Sequence, residues 1–408
     1  MRSNSKNSHG WLRLLGVALV ALLVMAACGS DDGGDDATAD TGGSDTSAPA
    51  DEGSGEPVKV GVLLPYTGTF GIYGAQMETA LRTRLAQDDA KAASHQIELV
   101  FEDDATDAGT AVTKATKMIE QDGVKIVICC AGSASTLAVA PILAEAGIPQ
   151  VAPIPGASDL QKFATASSAA PTAAADAEKL GTYAFEGLKY KTASLIISDY
   201  SYGREVGDAF TKGFTDAGGK VLESLYTPLG TQDFGSLLSS VPDADVLLGA
   251  FAGADALRFV KQYDEFGVKD RMPLIGHGPI ITELVLQEEG DAAIDVSAGF
   301  YYSSGIDLPE NTRFMEALGK ADPKLHPSHA TSAAWAVGSL LMDVIDRLNG
   351  DLDDGEAVAT AIHETEIDVP WGTLKFDPKT HFAVAPTYFY TVVRDGDVLK
   401  HEIKATIE

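Results

Sequence analysis

Basic residues are scarce in this 408-residue sequence: 30 Lys and Arg stand against 59 Asp and Glu, a formal net charge of −29. Nucleic acid binding needs clustered Lys and Arg to neutralise phosphates, so that class of partner is excluded. Net charge speaks mainly to solubility and leaves the ligand open. Cysteine is scarcer still, with only Cys28, Cys129 and Cys130. Three such positions make neither a disulfide framework nor a metal-ligand spacing. A bridge between chain neighbours is rare, so two buried thiols are expected at Cys129 and Cys130.

Catalytic signatures are also missing. The Gly68–Gly74 turn, GTFGIYG, lacks the close first glycine pair of a dinucleotide loop, and no G-x-x-x-x-G-K-[ST] is present. His363-ETEI is not H-E-x-x-H, and Gly132-SAS is not the G-x-S-x-G elbow. Asp351-LDDGE misplaces its glycine and lacks the twelfth-position Glu of a calcium loop. The eight His show no pairing at metal spacing. No enzyme, metal or cofactor is expected.

A long apolar run is lacking too. Leu14 to Ala27 falls short of the about 20 residues of a membrane span, and Arg2, Lys6 and Arg13 before it mark residues 1–28 as a secretion signal. Its last four residues, Met25-Ala26-Ala27-Cys28, resemble the bacterial lipobox, with Met25 in place of the usual Leu, Val or Ile. Lipidation of Cys28 would hold the chain at a membrane surface. Residues 29–56 carry nine acidic residues and no basic ones among Gly, Ser, Thr, Ala and Pro, which is a solvated tether.

What remains is an α/β body long enough for two domains. Short apolar runs at Val58, Ile97, Lys125 and Pro149 read as strands; Tyr73–Ala90, Ala108–Gln121 and Leu137–Ala146 between them read as helices. The rhythm restarts at Leu180. Strands follow at Thr192, Lys220, Asp245 and Pro273, with helices Arg204–Ala217 and Asp255–Phe266. Two doubly wound units are therefore predicted. A long helix (Thr331–Leu348), a shorter one (Glu356–His363) and late strands near Trp371, Tyr388 and Val398 are too few for a third domain and add to the first two.

Ligands of open α/β sheets sit outside the carboxyl ends of the strands. The turns there are rich in hydroxyls and aromatics: Pro65-YTGTFGIYG, Ala131-GSAST, Asp199-YSYG and Phe251. The second turn opens a helix, whose unpaired N–H groups suit an anion. Ser133, Ser135 and Thr136 are equally suited to capping that helix.

The ordered set of GVLLPYTGTFGIYG from Gly61, FEDDATD from Phe101, AGSASTLAVAPILAEAGIPQVAP from Ala131, SDYSYG from Ser198, TQDFGSLL from Thr231, LIGHG from Leu274 and WGTLKFDP from Trp371 resembles the branched-chain amino-acid-binding receptors of ABC importers. The likeness covers Val58 to Val393. It implies two Rossmann-like lobes with three crossovers, the type I periplasmic-binding-protein fold: lobe 1 from 57–176 with 303–383, and lobe 2 from 177–302 with 384–408. It also implies a monomer that works with permease and ATPase subunits on the extracytoplasmic face of the membrane. A ligand-sensing module for a membrane signalling partner is the alternative use of the same fold.

Carried over residue by residue, the family's ligand contacts fall on Tyr73, Ser133, Tyr202 and Phe251, with Ser135 in the same turn as Ser133. By ungapped alignment the loop after Val151 offers Ile154 and Gly156, and a two-residue shift would supply Gly156 and Ser158. The carboxylate that would meet an α-ammonium falls at Gly278, beside His277. The resemblance therefore points to an amino acid, or to an amide, urea-like compound or organic acid that has no ammonium. Asp199 and Asp255 are the two other acids that could supply the charge. The family's cleft disulfide cannot form, because Thr106 stands where the first Cys would be.

Overall fold

The computed structural model describes residues 55–154 and 157–407. Cys28, most of the tether and Gly156 lie outside them. The described chain begins with strand β1 (Gly55–Leu64), helix α1 (Gly71–Ala86), β2 (Lys91–Ala92) and β3 (His95–Asp103). Next come α2 (Ala108–Lys117), β4 (Ile126–Cys129), α3 (Ser133–Glu145), β5 (Gln150–Ala152) and β6 (Ala166–Ser168). α4 (Ala173–Glu186), β7 (Thr192–Ser198), α5 (Ser201–Asp216), β8 (Lys220–Thr227), α6 (Gly235–Ser240) and β9 (Val246–Ala250) continue it. They are followed by α7 (Ala254–Glu265), β10 (Leu274–His277), α8 (Leu286–Glu289) and β11 (Ser297–Phe300). The chain closes with α9 (Pro309–Ala321), α10 (His329–Arg347), α11 (Gly355–His363), β12 (Ile367–Val369), β13 (Gly372–Leu374), β14 (Thr387–Asp395) and β15 (Val398–Ile407).

Among the described residues two large sheets form, ordered β2-β3-β1-β4-β5-β6 and β15-β14-β11-β10-β9-β7-β8. All pairs are parallel except β2–β3, β11–β14 and β14–β15. β1, β4, β7 and β9 are buried almost continuously, as strands covered by helices on both faces must be. In the first sheet the chain steps from β1 to β3 on one side and then to β4 on the other. In the second it steps from β7 to β8 and then to β9. Each sheet thus has one switch point, between β1 and β4 and between β7 and β9. A crevice opens there at the carboxyl ends.

The two sheets are joined where the chain leaves β6 for α4, leaves β11 for α9, and returns to β14. The first and third joins are hydrogen-bonded neighbours: Ala383 N–H donates to the Ser168 carbonyl (2.8 Å) and Thr387 Oγ1 donates to Asp176 Oδ1 (2.5 Å). α10 is buried along nearly its whole length and packs on α1. Ser328 caps it, with a reciprocal Thr331 bond.

Several expectations are corrected. α1 stops at Ala86 because Asp89 and Ala90 take positive φ and lead into the β2–β3 hairpin. The α2 turns widen to π geometry over Met118–Asp122. α4 begins at Ala173, ahead of Leu180, where Thr172 caps it and Ala173, Asp176, Ala177, Leu180 and Ala184 form its buried face. Cys129 and Cys130 are not two thiols: they are bridged to one another across a cis peptide. Both are buried at the end of β4, where each sulfur has the other as its immediate neighbour.

Candidate functional site

Turns from both switch points meet over one cavity. Phe70 and Tyr73 come from the turn after β1, Ala131 and Ser133 from the turn after β4, and Ile154 follows β5. From the other sheet, Tyr200 and Tyr202 follow β7, Ala252 follows β9, Pro279 follows β10, and Phe300 ends β11. His329, the first residue of α10, completes the wall.

Two glycines set these aromatics in place. A Cβ at Gly74 would lie 2.3 Å from the Pro65 carbonyl, and one at Gly203 would lie 2.0 Å from the Ser198 carbonyl. Only glycine lets α1 and α5 seat their first turns on the ends of the preceding strands. Tyr73 and Tyr202 immediately precede these residues and are delivered to the cavity in the same way from opposite sides.

The cavity is small, ≈ 20 Å³, about the room of one water. The walls touch across it. Gly253 N–H donates to Tyr73 Oη (3.1 Å) and Ala254 N–H to the Thr69 carbonyl (3.2 Å). Further out, the Ser158 N–H (2.9 Å) and hydroxyl (2.8 Å) both donate to the Glu205 carboxylate. This is a closed cleft, and admitting a solute requires it to open.

Among the described residues no carboxylate lines the cavity. Asp255 is fully engaged elsewhere, Oδ2 accepting from Gly230 N–H (2.7 Å) and Oδ1 from the Arg258 guanidinium. Asp199 pairs with Arg204 at 2.5 Å. At Gly278 a Cβ would lie 2.3 Å from the Phe300 ring, so the space where a carboxylate was expected is filled by that phenyl group.

Polar groups are few but well placed. α3 has no side-chain cap at its N-terminus, and Thr136 turns its hydroxyl back to the Gly132 carbonyl (2.9 Å). Ser133 makes no side-chain hydrogen bond among the described residues and lies at that uncapped end. Burial drives the Tyr73, Tyr200 and Tyr202 hydroxyls well above their usual pKa, so all stay protonated.

Four of the expected positions, Tyr73, Ser133, Ile154 and Tyr202, come together at the cavity. Four others do not line it. Phe251 stacks on Phe259 (4.3 Å) and meets Phe234 edge-on (5.2 Å) in the core; the lining falls one residue later, on Ala252. Ser135 lies beside the buried Asp104 carboxyl, which desolvation pushes up to about 6. Gly278 is displaced in favour of Pro279, and His277 sits behind Tyr202. Phe70 and Tyr200 were within the quoted turns but unmarked, and Phe300 and His329 carried no signal at all.

His329 is buried, and desolvation lowers its pKa to about 4, so folding excludes a proton that the unfolded chain binds below pH about 6.5. The stability from this group is complete above pH 6.5 and is withdrawn as pH falls toward 4, at about 1.4 kcal/mol per pH unit. His329→Gln is expected to remove one proton's worth of slope from that acid limb. Denaturation midpoints between pH 7 and 4.5 check it, and an unaltered slope would count against a neutral His329.

A cleft between two doubly wound lobes, closed by contacts from both and lined by side chains of each, is the architecture of a solute-binding receptor. The chain belongs to the family described as periplasmic binding proteins, which it matches over residues 57–397. It is 28% identical over 365 residues to "Leu/Ile/Val-binding protein homolog 6" of Brucella melitensis, covering 85% of this chain and 91% of that one. Among solved structures it is similar to an ABC transporter substrate-binding protein from Sphaerobacter thermophilus (29% identity, TM-score 0.80, covering 86% of this chain and 98% of that one). It is also similar to the solute binding protein of an ABC transporter from Rhodopseudomonas palustris HaA2 in complex with p-hydroxybenzoic acid (25% identity, TM-score 0.80, 86% and 97%). The chain is thus a solute-binding receptor of an ABC importer. Among the described residues no helix is long and apolar enough to cross a membrane.

Proposed function

We propose that the cargo of this receptor is a small aromatic carboxylate, bound and released unchanged for import. The observation that carries this reading is the cavity wall, which among the described residues presents six aromatic rings, no carboxylate, and the unpaired Ser133 hydroxyl at an uncapped helix N-terminus. An amino acid would bring an ammonium into a closed cleft with no counter-charge, a costly burial. A carboxylate instead meets the α3 N–H groups and Ser133, while the rings of Phe70, Tyr73, Tyr200, Tyr202 and Phe300 bound a flat apolar body. The likeness to a receptor seen with p-hydroxybenzoic acid supports the same class.

Thermal-shift titration with benzoates, phenylacetates and branched-chain amino acids tests it, since ligand binding raises apparent stability by mass action. Stabilisation by the aromatic acids alone is expected; stabilisation by leucine or valine alone would overturn the proposal. Ser133→Ala is expected to weaken binding by about 1–3 kcal/mol, through loss of a hydrogen bond to a charged group. Calorimetry showing unchanged affinity removes Ser133 from the site.

The same reading puts the receptor on a lipid anchor at Cys28, outside the described residues, with the acidic tether leaving the cleft free to orient. Cys28→Ser is expected to move the protein from the membrane to the soluble fraction. Retention at the membrane after the substitution would falsify the anchor.

A further inference from the structure

Behind Tyr202 runs a buried chain of polar groups that no part of ligand capture has yet used. Tyr202 Oη and His277 Nδ1 are 2.6 Å apart. On the far side of the imidazole, His277 Nε2 faces Asp176 Oδ2 at 4.0 Å. Asp176 in turn accepts from Thr387 Oγ1 through its other oxygen (2.5 Å). His277 and Asp176 are 0% and 1% exposed, and His277 Nε2 and Asp176 Oδ2 have no hydrogen-bond partner among the described residues.

Two unpaired polar atoms buried within 4 Å of each other are each expensive alone. Their complement is one another: an Nε2–H directed at a carboxylate oxygen. Burial keeps His277 neutral, its pKa pushed down to about 3. A neutral imidazole has one N–H and one bare nitrogen, and the partner of one nitrogen fixes the state of the other. With the proton on Nε2, Nδ1 can only accept. The Tyr202 hydroxyl must then donate to it. Having given its one proton to His277, Tyr202 has only lone pairs left for anything in the cavity.

We propose that Asp176 and His277 are positioning residues that turn Tyr202 into an obligate hydrogen-bond acceptor, so that the receptor selects ring acids bearing a hydroxyl or other N–H or O–H donor over the unsubstituted ring. The proposal rests on the aromatic-carboxylate reading above and adds a polarity to it. Ser133 and the α3 terminus in one lobe supply donors for the carboxylate, and Tyr202 in the other lobe supplies an acceptor for a donor on the ring. A ligand without that donor leaves the oxygen's remaining lone pairs unpaired on closure.

Two measurements on the full chain test it. Nitrogen-15 NMR of the His277 ring at pH 8, above the value near 7 to which burial pushes the Asp176 carboxyl, is expected to show a protonated Nε2 and a bare Nδ1. The opposite tautomer, or an imidazolium, overturns the proposal whatever the ligand is. Calorimetry with benzoate, 4-hydroxybenzoate and 4-methoxybenzoate is expected to favour the hydroxyl compound by about tenfold over both others, the penalty for an unpaired buried acceptor. In Asp176→Asn the amide can donate to Nε2 and release the other tautomer, so the preference is expected to fall below about threefold. Equal binding of the three acids by the unmodified protein overturns the selectivity while leaving the aromatic-carboxylate reading intact. Binding of none of them overturns that reading, and the tautomer assignment still stands or falls on the NMR.

Discussion

Replacing Gly253 by Val is expected to weaken ligand capture by about a hundredfold, close to 2.7 kcal/mol of binding free energy. Gly253 has φ 63° and ψ −143°, a region that is essentially glycine's alone and costs other residues about 1–3 kcal/mol. That cost falls on the open and closed forms alike and lowers stability. The effect on affinity comes from the other side of the cleft. A Cβ at this position would lie 2.6 Å from the Thr69 carbonyl and 2.9 Å from the Phe70 ring. The same residue's N–H donates to Tyr73 Oη. This turn is therefore where lobe 2 seats on lobe 1, and bulk there opposes closure while leaving each sheet untouched. Calorimetry should show the loss of affinity, and small-angle scattering should show no compaction when ligand is added. Affinity within threefold of the parent would mean that the turn does not seat the lobes.

Trp335→Ala is expected to cost about 3–5 kcal/mol of folding stability, the range for deleting a large aromatic from a packed interior. Trp335 is fully buried on α10, with Nε1–H donating to Glu310 (3.0 Å) and Phe314 edge-on at 5.5 Å. The guanidinium groups of Arg84 and Arg313 lie 5.9 and 5.7 Å from its ring, so the substitution also removes the aromatic face that attracts these two cations. Urea denaturation followed by far-ultraviolet circular dichroism measures the loss. A loss under 1 kcal/mol would show that the α1–α10 face repacks around the hole.

The fold was legible because its signals are local. The apolar runs of β1, β4, β7 and β9 and the amphipathic segments between them specify parallel strands and covering helices residue by residue. The switch points, and with them the cavity, follow from the order of these elements. Within the site, residues in the first turns of α1, α3 and α5 were readable because a Gly or a hydroxyl marked the turn. The rest depends on contacts distant in sequence. Phe300 reaches the cavity only because Gly278, just past the end of the neighbouring strand β10, leaves it room. His329 arrives on a helix that packs against α1 from more than two hundred residues away. Phe251 misled because one step along a strand end changes which side chain faces the cleft. The Cys129–Cys130 bridge ran against a sound expectation, since neighbouring cysteines give no spacing from which a pairing can be read.

The three joins between the sheets have a consequence for how the molecule comes into being. The first sheet is complete at Ser168, yet the helix that backs it, α10, does not begin until His329. The second sheet lacks its last two strands until Ile407. Neither half can finish as an autonomous unit on an emerging chain, in contrast to proteins built from consecutive domains. The pairings that close both halves span long stretches of sequence, which slows the search and leaves apolar surface uncovered meanwhile. Shortening the chain anywhere before α10 would therefore damage both halves together.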